Sequence, residues 1–166
     1  MSKMPKLSKS ASRITHAAVI AALYVVLTHL SNAFGLASGA IQLRVSEALT
    51  ILPLFTPYAI PGLTIGCLIA NLTTGCVLWD VIGGTFATLL GALGTRFLSK
   101  TKWTGPIWPI LANTVIVPFI LLFAYQVPGS YFYFALTVGI GEILSCGVLG
   151  ILLAAALEKT KQLQKK

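Results

Sequence analysis

Glu142 is the single formally charged residue in the apolar run from Tyr131 to Leu157. At about 1.5 Å of rise per helical residue it falls roughly 16 Å along a helix from Tyr131. That is near the middle of a hydrocarbon core about 30 Å thick. An ionised carboxylate facing lipid at such depth costs at least about 2.5 kcal/mol. The group must therefore face the protein interior and meet a partner or a ligand there. The other polar groups able to do chemistry are few: Arg44 and Glu47 in Arg44-Val-Ser-Glu47, Asn71, Asp80 and Asn113.

The elements that must position them read as membrane segments. Only 10% of the 166 residues are charged and 56% are hydrophobic, with a mean hydropathy of +0.87. A soluble domain carries about a quarter charged residues. Lipid is thus the expected solvent, and the surplus of apolar residues is no sign of a large aqueous core. Cys67, Cys76 and Cys146 lie inside apolar runs with no Cys-x-x-Cys spacing. They read as packing residues rather than as a disulfide framework or a zinc site. His16 and His29 have no carboxylate near them in sequence, so neither a metal nor a cofactor is expected.

In order along the chain, residues 1–13 form a basic cytoplasmic segment. Residues 14–158 form a domain of six transmembrane helices, and residues 159–166 a basic tail. The first apolar run, from Ile14 to Phe34, exceeds the 7–15 residues of a signal-peptide core and is followed by further membrane-length segments. It carries the overlapping pairs Ala17/Ala21 and Ala18/Ala22, a spacing that lets another helix approach closely. A second segment leads from Ser46 and Glu47, which suit a helix N-terminus, to Pro57. The third and fourth carry small-residue stripes, Gly62/Gly66/Ala70/Thr74 and Gly83/Ala87/Gly91/Thr95, with Asp80 placed to cap the fourth. The fifth, kinked by Pro109 and Pro118, runs to about Gln126. The sixth enters through an aromatic belt at Tyr131–Phe134.

With the N-terminus in the cytoplasm, residues 1–13, the 96–102 loop and the tail place eleven of the twelve basic residues inside, leaving Arg44 outside. This is a positive-inside pattern with both termini cytoplasmic. It accounts for the net charge of +8 without nucleic acid as a partner. Arg44, Glu47 and Asp80 then lie toward the outer face. No Gly-x-x-x-x-Gly-Lys-[Ser/Thr] loop, His-Glu-x-x-His or Gly-x-Ser-x-Gly occurs. The reading is a binding protein, not an enzyme, that relies on a separate motor.

The stretches Arg44-Val-Ser-Glu47-Ala-Leu, Ile60 to Asn71, Asp80-Val-Ile-Gly-Gly-Thr-Phe-Ala-Thr-Leu-Leu, Asn113-Thr-Val-Ile-Val and Gly139-Ile-Gly-Glu142 resemble the QueT family. Those proteins are substrate-binding (S) components of energy-coupling factor transporters, and the resemblance covers the chain from about residue 14. It implies an all-α bundle of six helices in the cell membrane that captures a queuosine precursor, a 7-deazaguanine base. It also implies docking on a membrane scaffold (T) subunit with two ATPase subunits, through an Ala-x-x-x-Ala pair that is either Ala17/Ala21 or Ala18/Ala22. A carboxylate accepts the paired N–H and amine of a guanine-type edge, which places Glu142 first. Glu47 or Asp80 would take the cation of an aminomethyl precursor. Asn113, Asn71 or Arg44 would donate to the ring carbonyl, and Trp79 and Tyr131 could flank the flat ring. The same architecture serving another vitamin-like ligand, or a stand-alone oligomeric transporter or channel, are the competing readings.

Overall fold

The computed structural model describes residues 9–36 and 42–163. The basic residues Lys3 and Lys6 and the end of the tail lie outside the described residues. Among the described residues there are six α-helices: α1 (Lys9–Ala33), α2 (Ala59–Thr73), α3 (Leu78–Phe97), α4 (Ile107–Phe123), α5 (Tyr131–Glu142) and α6 (Gly150–Leu163). A 3-10 helix, Val45–Leu54, separates α1 from α2, and a π-helical turn, Ile143–Leu149, joins α5 to α6. Among the described residues there is no strand.

Among the described residues, three stretches are long and apolar enough to cross a membrane: Ser10–Ala33, Leu78–Phe97 and the continuous Tyr131–Thr160. The apolar helices Val45–Leu54, Ala59–Thr73 and Ile107–Phe123 are shorter. Large apolar side chains such as Val26, Phe86, Phe119 and Leu152 point outward, each about half exposed or more. In water such a surface would be untenable; against lipid tails it is the expected one. The chain is an all-helical membrane protein.

The second segment departs from the expected α-helix. It winds as a 3-10 helix of ten residues, with Arg44 in an extended conformation at its N-cap and no side-chain cap. Pro53 cannot donate to a backbone ladder, and the Thr50 hydroxyl donates to the Glu47 carbonyl three residues back at 2.6 Å. Tight winding eclipses positions three apart, so Glu47, Thr50 and Pro53 fall in one row, all buried. At about 2 Å per residue such a helix spans roughly 20 Å. It sits against α1, α3, α6 and the π turn, and is the central element of the bundle. Ser46 does not cap it; it accepts a hydrogen bond from Thr28 of α1 at 2.8 Å. Asp80 likewise is not the cap of α3: Val77 holds that position and Asp80 lies in the first turn.

The two small-residue stripes serve different neighbours. On α2, a Cβ at Gly62 would stand 2.8 Å from the Ala17 carbonyl oxygen, and one at Gly66 2.8 Å from the Tyr24 Cβ. On α3, a Cβ at Gly91 would lie 2.7 Å from the Pro109 Cα. Lipid offers no hydrophobic drive toward helix association, so backbone contact through glycine supplies the dispersion energy. The α1–α2 contact uses Ala17 and Ala21, which are half-buried and buried, and leaves Ala18 and Ala22 exposed. Replacing Gly66 with Leu should lower the stability of the purified protein by about 1–3 kcal/mol through overpacking. Thermal unfolding in detergent measures it, and an unchanged midpoint contradicts the contact.

Candidate functional site

Two spaces with shared lining open in the bundle, the outer between the ends of α1, α2, α3 and α4 and the inner between the 3-10 helix, α3, α4 and α5. The outer one is a polar cavity of about 300 Å³ walled by Thr28, Asn32, Gln42, Arg44, Asn71, Asp80 and Tyr125. Its volume is at the lower end of small-molecule sites. Below it is a recess of about 20 Å³, room for a water molecule or a single small group, formed by Glu47, Thr88, Asn113 and Glu142. Gln42, Arg44 and Val117 line both.

Each wall residue is placed by a local feature of sequence. Gly84 on α3 leaves room for Asn71 and Asp80, whose Nδ2 and Oδ1 atoms would lie 3.0 and 3.3 Å from a Cβ there. The Asn71 amide donates to the Asp80 carbonyl at 3.4 Å, tying α2 to α3. Tyr125, just beyond α4, donates to Asp80 Oδ2 at 2.9 Å. The Gln42 backbone crosses α5 at Gly141, where its carbonyl would collide with any side chain. Glu142 ends α5, and the π turn begins at the next residue. A π turn inserts one residue into the helical repeat and re-aims the side chains beside it. Cys146, four residues on, donates to Glu142 Oε2 at 3.0 Å.

The floor of the site is two carboxylates, neither of which forms an ion pair among the described residues, with Arg44 lining the same recess. Glu47 and Glu142 are 2% and 9% exposed. Glu47 Oε1 accepts a short hydrogen bond from the Tyr24 hydroxyl of α1, while its Oε2 is buried without a partner. One oxygen of Glu47, one of Glu142 and Cys146 Sγ lie within 4.8 Å of one another. These three could ligate a cation, or the two carboxylates could accept the N–H groups of a bound molecule. A buried carboxylate oxygen with no donor is expensive. Arg44 rims the same space, and among the described residues it forms no ion pair; Lys102 and Glu158 do, at 2.6 Å at the opposite end.

Of the residues singled out by sequence, Glu142, Glu47, Asn113, Arg44, Asp80 and Asn71 all line one of the two spaces. Trp79 and Tyr131 line neither. Trp79 is 68% exposed on the outer apolar surface beside Ile82 and Phe86. Tyr131 packs its ring against Phe119 at a tilt of 47°, centroids 4.7 Å apart, and donates to the Val115 carbonyl. Tyr24, Thr28, Asn32, Gln42, Thr88 and Tyr125 enter the site without having been anticipated. Tyr24, Thr28 and Ser31 share one face of α1 at helical spacing, a polar stripe in an apolar helix that carried the missing signal. Tyr125 and Gln42 lie in connections, where no periodicity marks a direction. His16 and His29 bond to the Ser12 carbonyl and the Thr73 hydroxyl, away from both spaces.

A membrane bundle with a walled polar cavity that opens onto buried acceptors has the shape and chemistry of a binding site for a small polar molecule. Residues 14–159 match the family model of the QueT transporter, and the chain belongs to the QueT family. It is similar to the queuosine precursor transporter QueT of Lactococcus lactis subsp. cremoris (strain MG1363), at 34% identity over 92 residues. That match spans 53% of this chain and 54% of the relative, about half of each. No solved structure matches the chain. The family is one of transporters, so the chain is a transport protein and not an enzyme.

The burial pattern also fixes an expected reactivity. Cys67 and Cys146 are each 1% exposed, whereas Cys76 is part-exposed on the cavity wall. A maleimide should modify one thiol per chain in the folded protein and three after denaturation. Mass spectrometry of the labelled protein checks this, and modification of Cys146 before denaturation contradicts the buried floor.

Proposed function

We propose that this chain is the substrate-specificity subunit of an ATP-driven importer of the energy-coupling factor type, binding a 7-deazaguanine queuosine precursor from outside the cell membrane. The observation that carries the reading is the recess: two buried carboxylates side by side, one oxygen of Glu47 without a donor, and no protein cation paired with either among the described residues. A deazaguanine edge offers adjacent N–H donors that a carboxylate accepts in bidentate fashion. Glu142 takes that edge. Glu47 takes the ammonium of an aminomethyl arm, and Asn113 or Arg44 donates to the ring carbonyl. Asp80, Asn71 and Tyr125 line the entrance. Trp79 and Tyr131 act as interfacial anchors.

In this reading all six apolar segments sit in the bilayer, the shorter ones within a locally thinned or protein-filled slab, and both termini are cytoplasmic. The basic groups support that orientation. Arg96 donates to the Pro53 carbonyl at 3.1 Å, Lys102 pairs with Glu158, and Arg13 lies over the Tyr58 ring at 5.9 Å, all at the end of the bundle away from the cavity. ATP hydrolysis belongs to two separate ATPase subunits joined through a scaffold subunit. Ala18 and Ala22, exposed on α1, form the docking pair, because Ala17 and Ala21 are already taken up by α2.

Two measurements test the reading. Glu142→Gln keeps volume and removes charge; it should weaken deazaguanine binding by about 1.5–3 kcal/mol, the worth of a hydrogen bond to a charged group. Titration calorimetry reads the loss, and an unchanged affinity removes Glu142 from the site. Ala18→Leu should spare ligand binding and reduce co-purification with the scaffold subunit. Retention of a flavin or thiamine in place of a deazaguanine would replace the substrate. Uptake into proteoliposomes lacking the ATPases would replace the subunit role.

A further inference from the structure

We infer that Tyr24 is a positioning residue that orients Glu47 toward the charged arm of the ligand, and so sets the preference for a cationic over a neutral guest. The inference rests on the proposed ligand and deepens it. Tyr24 lies in the middle of α1 and is 1% exposed. Its hydroxyl donates to Glu47 Oε1. Two further bonds run from the same face of α1 to the same segment: Thr28 to the Ser46 hydroxyl at 2.8 Å, and the Val45 amide to Ser31 at 3.0 Å. Positions 24, 28 and 31 thus hold three consecutive residues, 45 to 47, at the entry of the 3-10 helix.

The terminal torsion of a glutamate is broad, so an unheld carboxylate presents its oxygens in many directions. Tyr24 commits one oxygen and leaves the other buried without a partner, and the carboxylate lies in the recess with Glu142 and Cys146. A phenol suits this task in a way that a lysine or arginine does not. It fixes the direction of the carboxylate while adding no positive charge, so the negative charge stays available to the ligand. The ring in turn is held by the α1–α2 contact, since the Tyr24 Cβ stands where a side chain at Gly66 would begin.

The test uses the full chain in detergent, titrated with 7-aminomethyl-7-deazaguanine and with its neutral counterpart 7-methyl-7-deazaguanine. Tyr24→Phe keeps the ring and its packing. It should weaken the aminomethyl compound about tenfold and the methyl compound by no more than about twofold, the scale of one hydrogen bond to a charged group. In a Glu47→Gln background the same substitution should leave the preference where Glu47→Gln alone has put it. Equal losses for both compounds, no loss for either, or a shift in preference that persists without the Glu47 charge would overturn the assignment alone. Should Tyr24→Phe fail to fold, Glu47→Gln alone decides: an unaltered preference for the aminomethyl compound overturns it. Failure of the unmodified chain to bind either compound removes the ligand reading, and the role of Tyr24 with it.

Discussion

Two negative side chains held in a medium that cannot solvate them is the constraint from which the rest of this structure follows. Removing a carboxylate from water without compensation costs several kcal/mol, and Glu47 and Glu142 share one small recess. The surroundings answer with neutral donors. Tyr24 serves Glu47, Cys146 serves Glu142, and Asn113 lines the wall between them. A 3-10 helix carries Glu47 and a π turn follows Glu142. The 3-10 helix is packed against α1, α3, α6 and the π turn, so its backbone is enclosed by protein.

The second constraint is that helices in lipid gain little from hiding apolar side chains from one another. Contact must come from fit. Gly62 and Gly66 press α2 onto α1, and Gly91 and Gly94 press α3 onto Pro109 and Trp108 at the start of α4. With the backbones so close, short polar side chains reach across: Thr28 to Ser46, Asn71 to Asp80. At Asn71 and Asp80 the two devices meet, because Gly84 leaves the room in which both side chains sit.

Hydropathy alone placed the six apolar segments to within a few residues, because runs of that length have few other uses. The isolated charge of Glu142 was equally legible, since charge in a membrane segment is costly enough to demand a reason. The winding of Val45–Leu54 was not. A ten-residue apolar stretch reads alike as an α-helix or a 3-10 helix, and only Pro53 and the packing around it decide. Asp80 looked like a cap because caps are assigned from residue type, whereas its carboxylate is engaged by Tyr125, forty-five residues away. The aromatic residues of the interface offered no direction: Trp79 and Tyr131 are flat and near the right depth, yet the turn of the helix points them outward. Depth is written in a sequence more plainly than azimuth.

The first helix shows what that azimuth governs. Its exposed alanines and its row of hydroxyl groups stand on neighbouring flanks of one unbroken rod, bonded on the inner flank to the segment that bears Glu47. Rods transmit leverage. A push on the outer flank is carried straight to residues 45–47, because three hydrogen bonds tie that segment to the inner flank of the same rod.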